Sequence, residues 1–144
     1  MSKNVQDQLN WLRRRRLPLT AATLTLKQTL HGIRLLSMTL ATAQTFNLPK
    51  ATGKGGVFDF YWPVTSTGNK IIKANGADTI NGLANVQTSQ FQSAANTNTI
   101  TINGTTTGGV IGTRVKLRDA APGQWHVDVD APGTGTAATP FSNT

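Results

Sequence analysis

Apolar and polar residues alternate with a period of two in several short runs after Leu19. The clearest run places Phe58, Phe60 and Trp62 on one side of a strand. A second run does the same with Trp125 and the valines at 127 and 129. Shorter runs lie at 23–26, 33–40, 99–102 and 114–118. This period is typical of strands with one buried and one solvated face, so the pattern predicts eight or nine short strands.

Gly- and Asn-rich turn signals separate these runs at short intervals. Asn75-Gly76, Asn81-Gly82 and Asn103-Gly104 each place side by side two residues that tolerate positive φ, as a two-residue hairpin turn requires. A further turn is predicted at Pro122-Gly123, and a Gly/Lys loop at 49–56. We therefore predict an all-β fold, specifically an antiparallel β-sandwich or barrel of about eight or nine short strands.

The N-terminal residues follow a different pattern. Val5, Leu9 and Leu12 recur at spacings of four and three, which predicts a short amphipathic helix. Pro18 ends this segment, because the residue before a proline avoids the α region. We divide the chain into a basic N-terminal arm at 1–18, a β domain at 19–130 and an extended Gly/Thr/Pro-rich tail at 131–144.

The composition agrees with β structure and narrows the chemistry. The 144 residues include 23 Thr, 14 Gly and 11 Asn, but no Cys and no Glu, which disfavours a helical protein and excludes disulfides and cysteine-ligated zinc. No stretch approaches the roughly 18 apolar residues of a membrane helix, so we expect no membrane span and no cleaved leader. The formal charge is +8, of which the first sixteen residues carry +4. An acidic surface or a nucleic acid is the partner that such an imbalance favours.

No arrangement of residues predicts an enzyme, a cofactor site or a metal site. His31 and His126 are the only histidines, neither lies near a G-x-S-x-G motif, and both are expected at exposed or edge positions. Asp128 and Asp130 are expected on the solvated face of a strand, opposite Lys or Arg of a neighbouring strand. The Gly53-Lys54 pair does not complete a phosphate-loop pattern, because Leu48 stands where the pattern requires Gly and Gly55 stands where it requires Ser or Thr.

The strongest local feature is the run of four arginines at 13–16. Guanidinium groups pair with carboxylates or with phosphates, so the arm suits an acidic protein surface or a nucleic acid on which Trp11 could stack. A merely solvated run is the third interpretation. We favour the protein surface, because the rest of the chain shows no RNA-recognition, cold-shock or helix-turn-helix signature. The candidate binding residues are Trp11, Leu12, Arg13, Arg14, Arg15 and Arg16.

The order of several segments between Leu24 and Ser142 points to a known family. In chain order they are Leu24-Thr25-Leu26, Leu30-His31-Gly32, Leu48-Pro49-Lys50-Ala51-Thr52-Gly53, Lys70-Ile71-Ile72-Lys73, Asn75-Gly76-Ala77-Asp78, Ile102-Asn103-Gly104-Thr105-Thr106-Thr107-Gly108-Gly109, Leu117 with Asp119, Gly123-Gln124-Trp125, Gly133-Thr134-Gly135-Thr136 and Thr139-Pro140-Phe141-Ser142. This succession resembles the small head-decoration, or cement, proteins of tailed bacteriophages. The arginine arm departs from the family pattern, so any role for it rests on its own residues.

The resemblance implies a non-enzymatic β-rich knob on the outside of a phage capsid, assembled in the host cytoplasm. Its partner would be the major capsid protein, whose neighbouring subunits it would bridge to stabilise the expanded head. A homo-oligomer is expected, with a trimer favoured over a dimer. The alternatives are a nucleic-acid-binding module that acts through the arm and a head fibre that binds a receptor glycan; we expect no membrane partner and disfavour nucleic acid.

Overall fold

The computed structural model describes Val5, residues 16–32 and residues 34–144. In the described residues, strands make up almost all of the regular structure, and apart from Val5 the helical residues form a single turn, α1 at Gln28–His31. The strands are β1 Leu17–Pro18, β2 Thr23–Thr25, β3 Leu35–Ser37, β4 Gln44–Asn47, β5 Val57–Tyr61, β6 Lys70–Lys73, β7 Thr79–Val86, β8 Ser89–Gln92, β9 Thr99–Ile102, β10 Arg114–Ala121, β11 Gln124–Ala131 and β12 Phe141–Ser142. The predicted all-β class is therefore confirmed.

The strands form two sheets, which we call sheet A and sheet B. Sheet A has seven strands in the order β1-β3-β5-β10-β11-β7-β8, and sheet B has five in the order β12-β9-β6-β4-β2. Consecutive strands from β1 to β7 alternate between the two sheets. The first half of the chain therefore winds back and forth between the sheets.

This winding corrects the prediction of an antiparallel fold. Of the ten strand pairings in the described residues, five are parallel: β1–β3, β3–β5, β2–β4, β4–β6 and β7–β11. Strands that are neighbours in a sheet but separated by an excursion to the other sheet can return in the same direction, whereas a two-residue turn forces an antiparallel pair. Both sheets are consequently mixed.

The turn signals predicted one hairpin correctly and others wrongly. Pro122-Gly123 joins the antiparallel pair β10–β11, as expected, and a second hairpin at Gln87-Thr88 joins β7 to β8. Asn103-Gly104, however, lies in a loop between strands of different sheets, and Asn81-Gly82 lies inside β7. A Cβ on Gly82 would lie 1.9 Å from the Val127 carbonyl oxygen, so this glycine permits close backbone pairing instead of a turn.

One hydrophobic core receives side chains from both sheets. The predicted inward residues of β5, Phe58 and Phe60, are fully buried together with Trp62, and the apolar residues of β10 and β11 alternate with exposed polar ones. Phe46 of sheet B and Phe60 of sheet A pack with their ring centroids 5.6 Å apart. The period-two interpretation of these runs is thus confirmed at the level of individual side chains.

The segments on either side of the predicted β domain also contribute strands. Leu17–Pro18 pairs in parallel with β3, and Phe141–Ser142 of the tail pairs with β9 at the edge of sheet B. Leu19 is buried in the core. The predicted helix of the arm lies outside the described residues except for Val5, which has helical conformation.

Candidate interaction surfaces

A charged face covers the solvent side of three adjacent strands in sheet A. It consists of Asp59 of β5, Arg114, Lys116 and Arg118 of β10, and His126, Asp128 and Asp130 of β11. The strand register places Arg114 opposite Asp130 and Lys116 opposite Asp128. On the other side, Lys116 is opposite Asp59. The period of two brings these side chains to the surface because Val115, Leu117 and their partners fill the core.

The charged face is internally balanced. Its three cationic residues are matched by three carboxylates, and Arg114 forms an ion pair with Asp59 at 3.2 Å. His126 lies 3.8 Å from Asp128, with both side chains exposed. The prediction that Asp128 and Asp130 face cations of a neighbouring strand is confirmed by the register. A balanced face of this kind offers little attraction to a polyanion.

Asp119 does not join the other aspartates, because it points to the opposite side of β10. It is 6% exposed, and its carboxylate accepts hydrogen bonds from the backbone N–H of Thr52 at 2.9 Å and of Gly53 at 2.7 Å. The Thr52 hydroxyl donates a further bond at 2.7 Å. Burial raises the pKa of Asp119, but the bonds from Thr52, Gly53 and Lys54 outweigh it and hold the pKa below its ordinary value.

These bonds anchor the predicted Gly/Lys loop, residues 49–56, which we call the lysine loop. Asp78 also accepts a bond from the loop, donated by the Ala51 N–H at 2.7 Å. The Gly55 N–H donates to the Asp119 carbonyl oxygen, and the Asp119 N–H donates to the Gly56 carbonyl oxygen. The N–H groups that a phosphate loop would turn toward a ligand are therefore used internally at 51, 52, 53 and 55. The structure agrees with the absence of a phosphate-loop motif in the sequence.

The anchored loop borders a cleft of about 290 Å³, which we call the loop cleft. Its lining is Gln28, Pro49, Lys50, Thr52, Lys54, Gly56, Asp119 and Trp125. Lys50 and Lys54 are exposed at its rim, whereas Trp125 is buried, with its ring 5.6 Å from that of Phe58. The buried Trp125 Nε1 has no hydrogen-bond partner in the described part of the chain. A buried donor left without any partner costs a fold about 1–3 kcal/mol.

More cations lie beside the loop cleft, around α1. Lys27 directly precedes Gln28, which lines the cleft. The Gln28 side chain extends to Gly56, since a Cβ added to Gly56 would lie 2.4 Å from Gln28 Cδ. His31 at the end of α1 is buried, which corrects its expected exposed or edge position. Burial lowers the pKa of His31, and the nearby charges of Arg34 and Lys27 lower it further. His31 is therefore a neutral structural residue at neutral pH, and its Nδ1 accepts a bond from the Lys27 N–H.

The described surface is thus divided by charge. Its carboxylate side chains outside the charged face are those of Asp78 and Asp119, and both are buried and committed to the lysine loop. The remaining charged side chains at the described surface are all cationic, namely those of Arg16, Lys27, Arg34, Lys50, Lys54 and Lys73. These six residues carry the excess positive charge of the described surface.

Lys70 is a cation in the Lys70-Ile71-Ile72-Lys73 segment, which nothing in the sequence distinguishes from the surface lysines. It is fully buried, and its Nζ donates to the carbonyl oxygens of Leu40 and Thr42 and to Gln44 Oε1. Gln44 Nε2 in turn donates to the carbonyl oxygen of Leu19 at 3.0 Å. These bonds tie together segments that cross between the sheets, so we assign Lys70 a structural role.

Most of the predicted binding residues lie outside the described part of the chain. These are Trp11, Leu12, Arg13, Arg14 and Arg15, whereas Arg16 is described and exposed. Their proposed role stays a prediction. In residues 5, 16–32 and 34–144, no group of three His, Cys, Asp or Glu side chains is arranged to hold a metal ion. Over the same residues, no helix is both long and apolar enough to span a membrane.

The loop cleft and its cationic surroundings are features that sequence analysis did not assemble. The lysine loop was recognised, but its anchoring by Asp119 depends on a contact between residues 66 and 67 positions apart. The sequence signal for this anchoring is Asp119 itself, an aspartate at a position where the period of two of β10 predicts an apolar residue. No protein-family model, curated protein or solved structure matches this chain.

Proposed function

We propose that this chain is a structural virion protein that binds the outer surface of a tailed-phage capsid and bridges neighbouring major capsid proteins. One observation carries the proposal: outside the balanced charged face, the described surface presents cations without exposed carboxylate side chains to neutralise them. Such a surface favours an acidic macromolecular partner. The segment order that resembles phage decoration proteins supports a capsid as that partner.

A rigid scaffold is what this role requires, and we propose that the two sheets pack face to face as a sandwich. The contact between Phe46 and Phe60 and the shared hydrophobic core support this arrangement. A ligand that binds only the expanded shell stabilises it by mass action, and repetition over a symmetric lattice adds avidity. Residues 1–16 would supply a second contact, with Trp11 and Leu12 as apolar anchors beside the arginines.

Cosedimentation with shells of the major capsid protein from the same phage tests the proposal. We expect the full chain to bind expanded shells and to raise the temperature at which they disrupt. A chain that lacks residues 1–16 should keep its β circular dichroism but bind more weakly. Failure of the full chain to bind expanded shells would contradict the proposal, whereas full binding by the truncated chain would reject only the role of the arm.

Two further measurements address the alternatives and the oligomeric state. We would favour a nucleic-acid module over a capsid protein if the chain bound double-stranded DNA at physiological salt and if alanine at all four positions 13–16 abolished that binding.

Analytical ultracentrifugation of the full chain should give a trimer, or failing that a dimer. A strictly monomeric chain at the concentrations used for shell binding would contradict the proposed homo-oligomer.

A further inference from the structure

The lysine loop is held in place independently of any partner. Its backbone N–H groups donate four bonds to the carboxylates of Asp78 and Asp119. In addition, Thr52 forms an isolated antiparallel β-bridge with Pro122. Gly53 has a φ of +79°, and an added Cβ would lie 2.9 Å from Pro122 Cδ. The loop therefore presents Lys50 and Lys54 from a fixed backbone, which reduces the conformational entropy lost when a partner binds.

The loop cleft combines an apolar floor with a cationic rim. Pro49 contributes apolar surface, and the almost fully buried Trp125 borders the cleft. Lys50 and Lys54 bring charge that no described carboxylate neutralises by an ion pair. Asp119 also lines the cleft, but its oxygens accept the bonds of the loop. A cleft of about 290 Å³ accommodates a side chain or two of a partner, not a large ligand.

We propose that the loop cleft binds an acidic, extended segment of the major capsid protein, with carboxylates at Lys50 and Lys54 and an apolar side chain against Pro49. This inference rests on the proposed function for the identity of the partner. Lys27 and Arg34 extend the positive potential beyond the cleft and would steer the segment toward it.

The observations favour a protein segment over a nucleic acid. Nucleic acids without sequence preference are bound by aromatic side chains that stack on bases, and the aromatic residue of this cleft, Trp125, is only 1% exposed. The balanced charged face would not extend a phosphate-binding track along sheet A. Lysines at a small apolar cleft instead match isolated carboxylates spaced along an extended chain.

The test uses the full chain labelled with ¹⁵N and a capped pentapeptide, Glu-Leu-Glu-Leu-Glu, with Gln-Leu-Gln-Leu-Gln as the uncharged control. We expect the acidic peptide to shift the indole N–H resonance of Trp125, assigned with Trp125→Phe, and the control peptide to leave it unchanged. The double variant Lys50→Gln/Lys54→Gln should weaken the affinity about tenfold, because it removes two charge contacts. Its matched control, Arg114→Gln/Lys116→Gln on the charged face, should bind as the unaltered chain does.

Three results would overturn the inference. They are an unchanged Trp125 resonance, equal weakening by the two double variants, and stronger binding to a single-stranded oligonucleotide of five bases than to the acidic peptide. Cosedimentation with expanded shells separates this inference from the proposed function. Full shell binding by Lys50→Gln/Lys54→Gln would reject the cleft as a capsid contact and leave the function standing, whereas no shell binding by the full chain would reject both.

Discussion

Asp119→Asn removes the charge that anchors the lysine loop while nearly preserving the volume of the side chain. The Asp119 carboxylate accepts two backbone N–H groups and one hydroxyl, all within 3.0 Å. Asparagine keeps one acceptor oxygen, but its NH₂ group would face donors. If two bonds to a charged group are lost at about 1.5 kcal/mol each, the free energy of unfolding falls by about 3 kcal/mol.

Urea unfolding followed by tryptophan fluorescence measures this loss. For a slope of about 1.5 kcal/mol per M urea, the midpoint should fall by about 2 M. Asp128→Asn is the matched control, because Asp128 is exposed on the charged face, and its effect should stay within about 0.5 kcal/mol. Amide exchange at Thr52 and Gly53 should also become faster in Asp119→Asn.

The same substitution should change how stability depends on pH. The pKa of Asp119 in the folded protein is below its ordinary value of 3.8, so the ionised form stabilises the fold above that value. This contribution should disappear as the pH falls through the folded-state pKa. The difference between the unaltered chain and Asp119→Asn should accordingly be full at pH 7 and shrink below pH 4. A difference under about 1 kcal/mol at pH 7, or one equal to that of Asp128→Asn, would refute the anchoring role.

Three other substitutions test the remaining structural assignments. Lys70→Met should lower the free energy of unfolding by about 3 kcal/mol, because it removes the donor of three hydrogen bonds, two to part-buried carbonyl oxygens and one to the buried Gln44 Oε1. Burial lowers the pKa of Lys70 from 10.5 to about 8, so the unfolded state binds more protons between these values. Stability should therefore rise with pH in this window for the unaltered chain relative to Lys70→Met; a parallel pH profile would contradict the assignment. Gly82→Ala should destabilise much more than Gly76→Ala, because a Cβ at Gly82 meets the Val127 oxygen whereas open space surrounds Gly76; equal thermal midpoints would refute this. Arg114→Ala, which breaks an exposed ion pair, should change the urea-derived free energy of unfolding by less than about 1 kcal/mol, and a larger loss would show that the charged face is structural.

The alternating strands could be predicted from the sequence because their period depends on local geometry alone. Phe58, Phe60 and Trp62 face one core, and Val115 and Leu117 face it from β10 as their spacing requires. A strand with a dry and a wet face shows its period of two whatever strands it pairs with. Whether the neighbouring strands run parallel or antiparallel does not change this alternation, so the pattern does not predict it.

The parallel pairings were missed for that reason. Asn-Gly turns suggested hairpins, but Gly82 is needed for close approach to Val127, and Asn103 stays in a loop by accepting bonds from the N–H groups of Thr105 and Thr107. Asn and Gly favour tight turns, but they also suit a close approach of two backbones and a hydrogen-bonded loop. Which of these roles a glycine performs is decided by distant parts of the chain.

The loop cleft could not be predicted because its components are separated along the sequence. Lys50 and Lys54 belong to a recognisable loop, but their fixed presentation depends on Asp119, and the floor depends on Trp125. The excess positive charge was evident from composition. The sequence did not show where on the surface this excess charge lies. The strand register shows it, because the exposed carboxylates lie opposite cations of β10 and leave the other exposed cations without acidic neighbours in the sheet.

Electron cryo-microscopy of virions, prepared with and without this gene from the phage that encodes it, tests the central claim most directly. The account predicts knobs at regular positions on the outside of the expanded head, absent from the deletion particles, which should also disrupt at a lower temperature. Identical outer surfaces and identical heat resistance in the two preparations would contradict it.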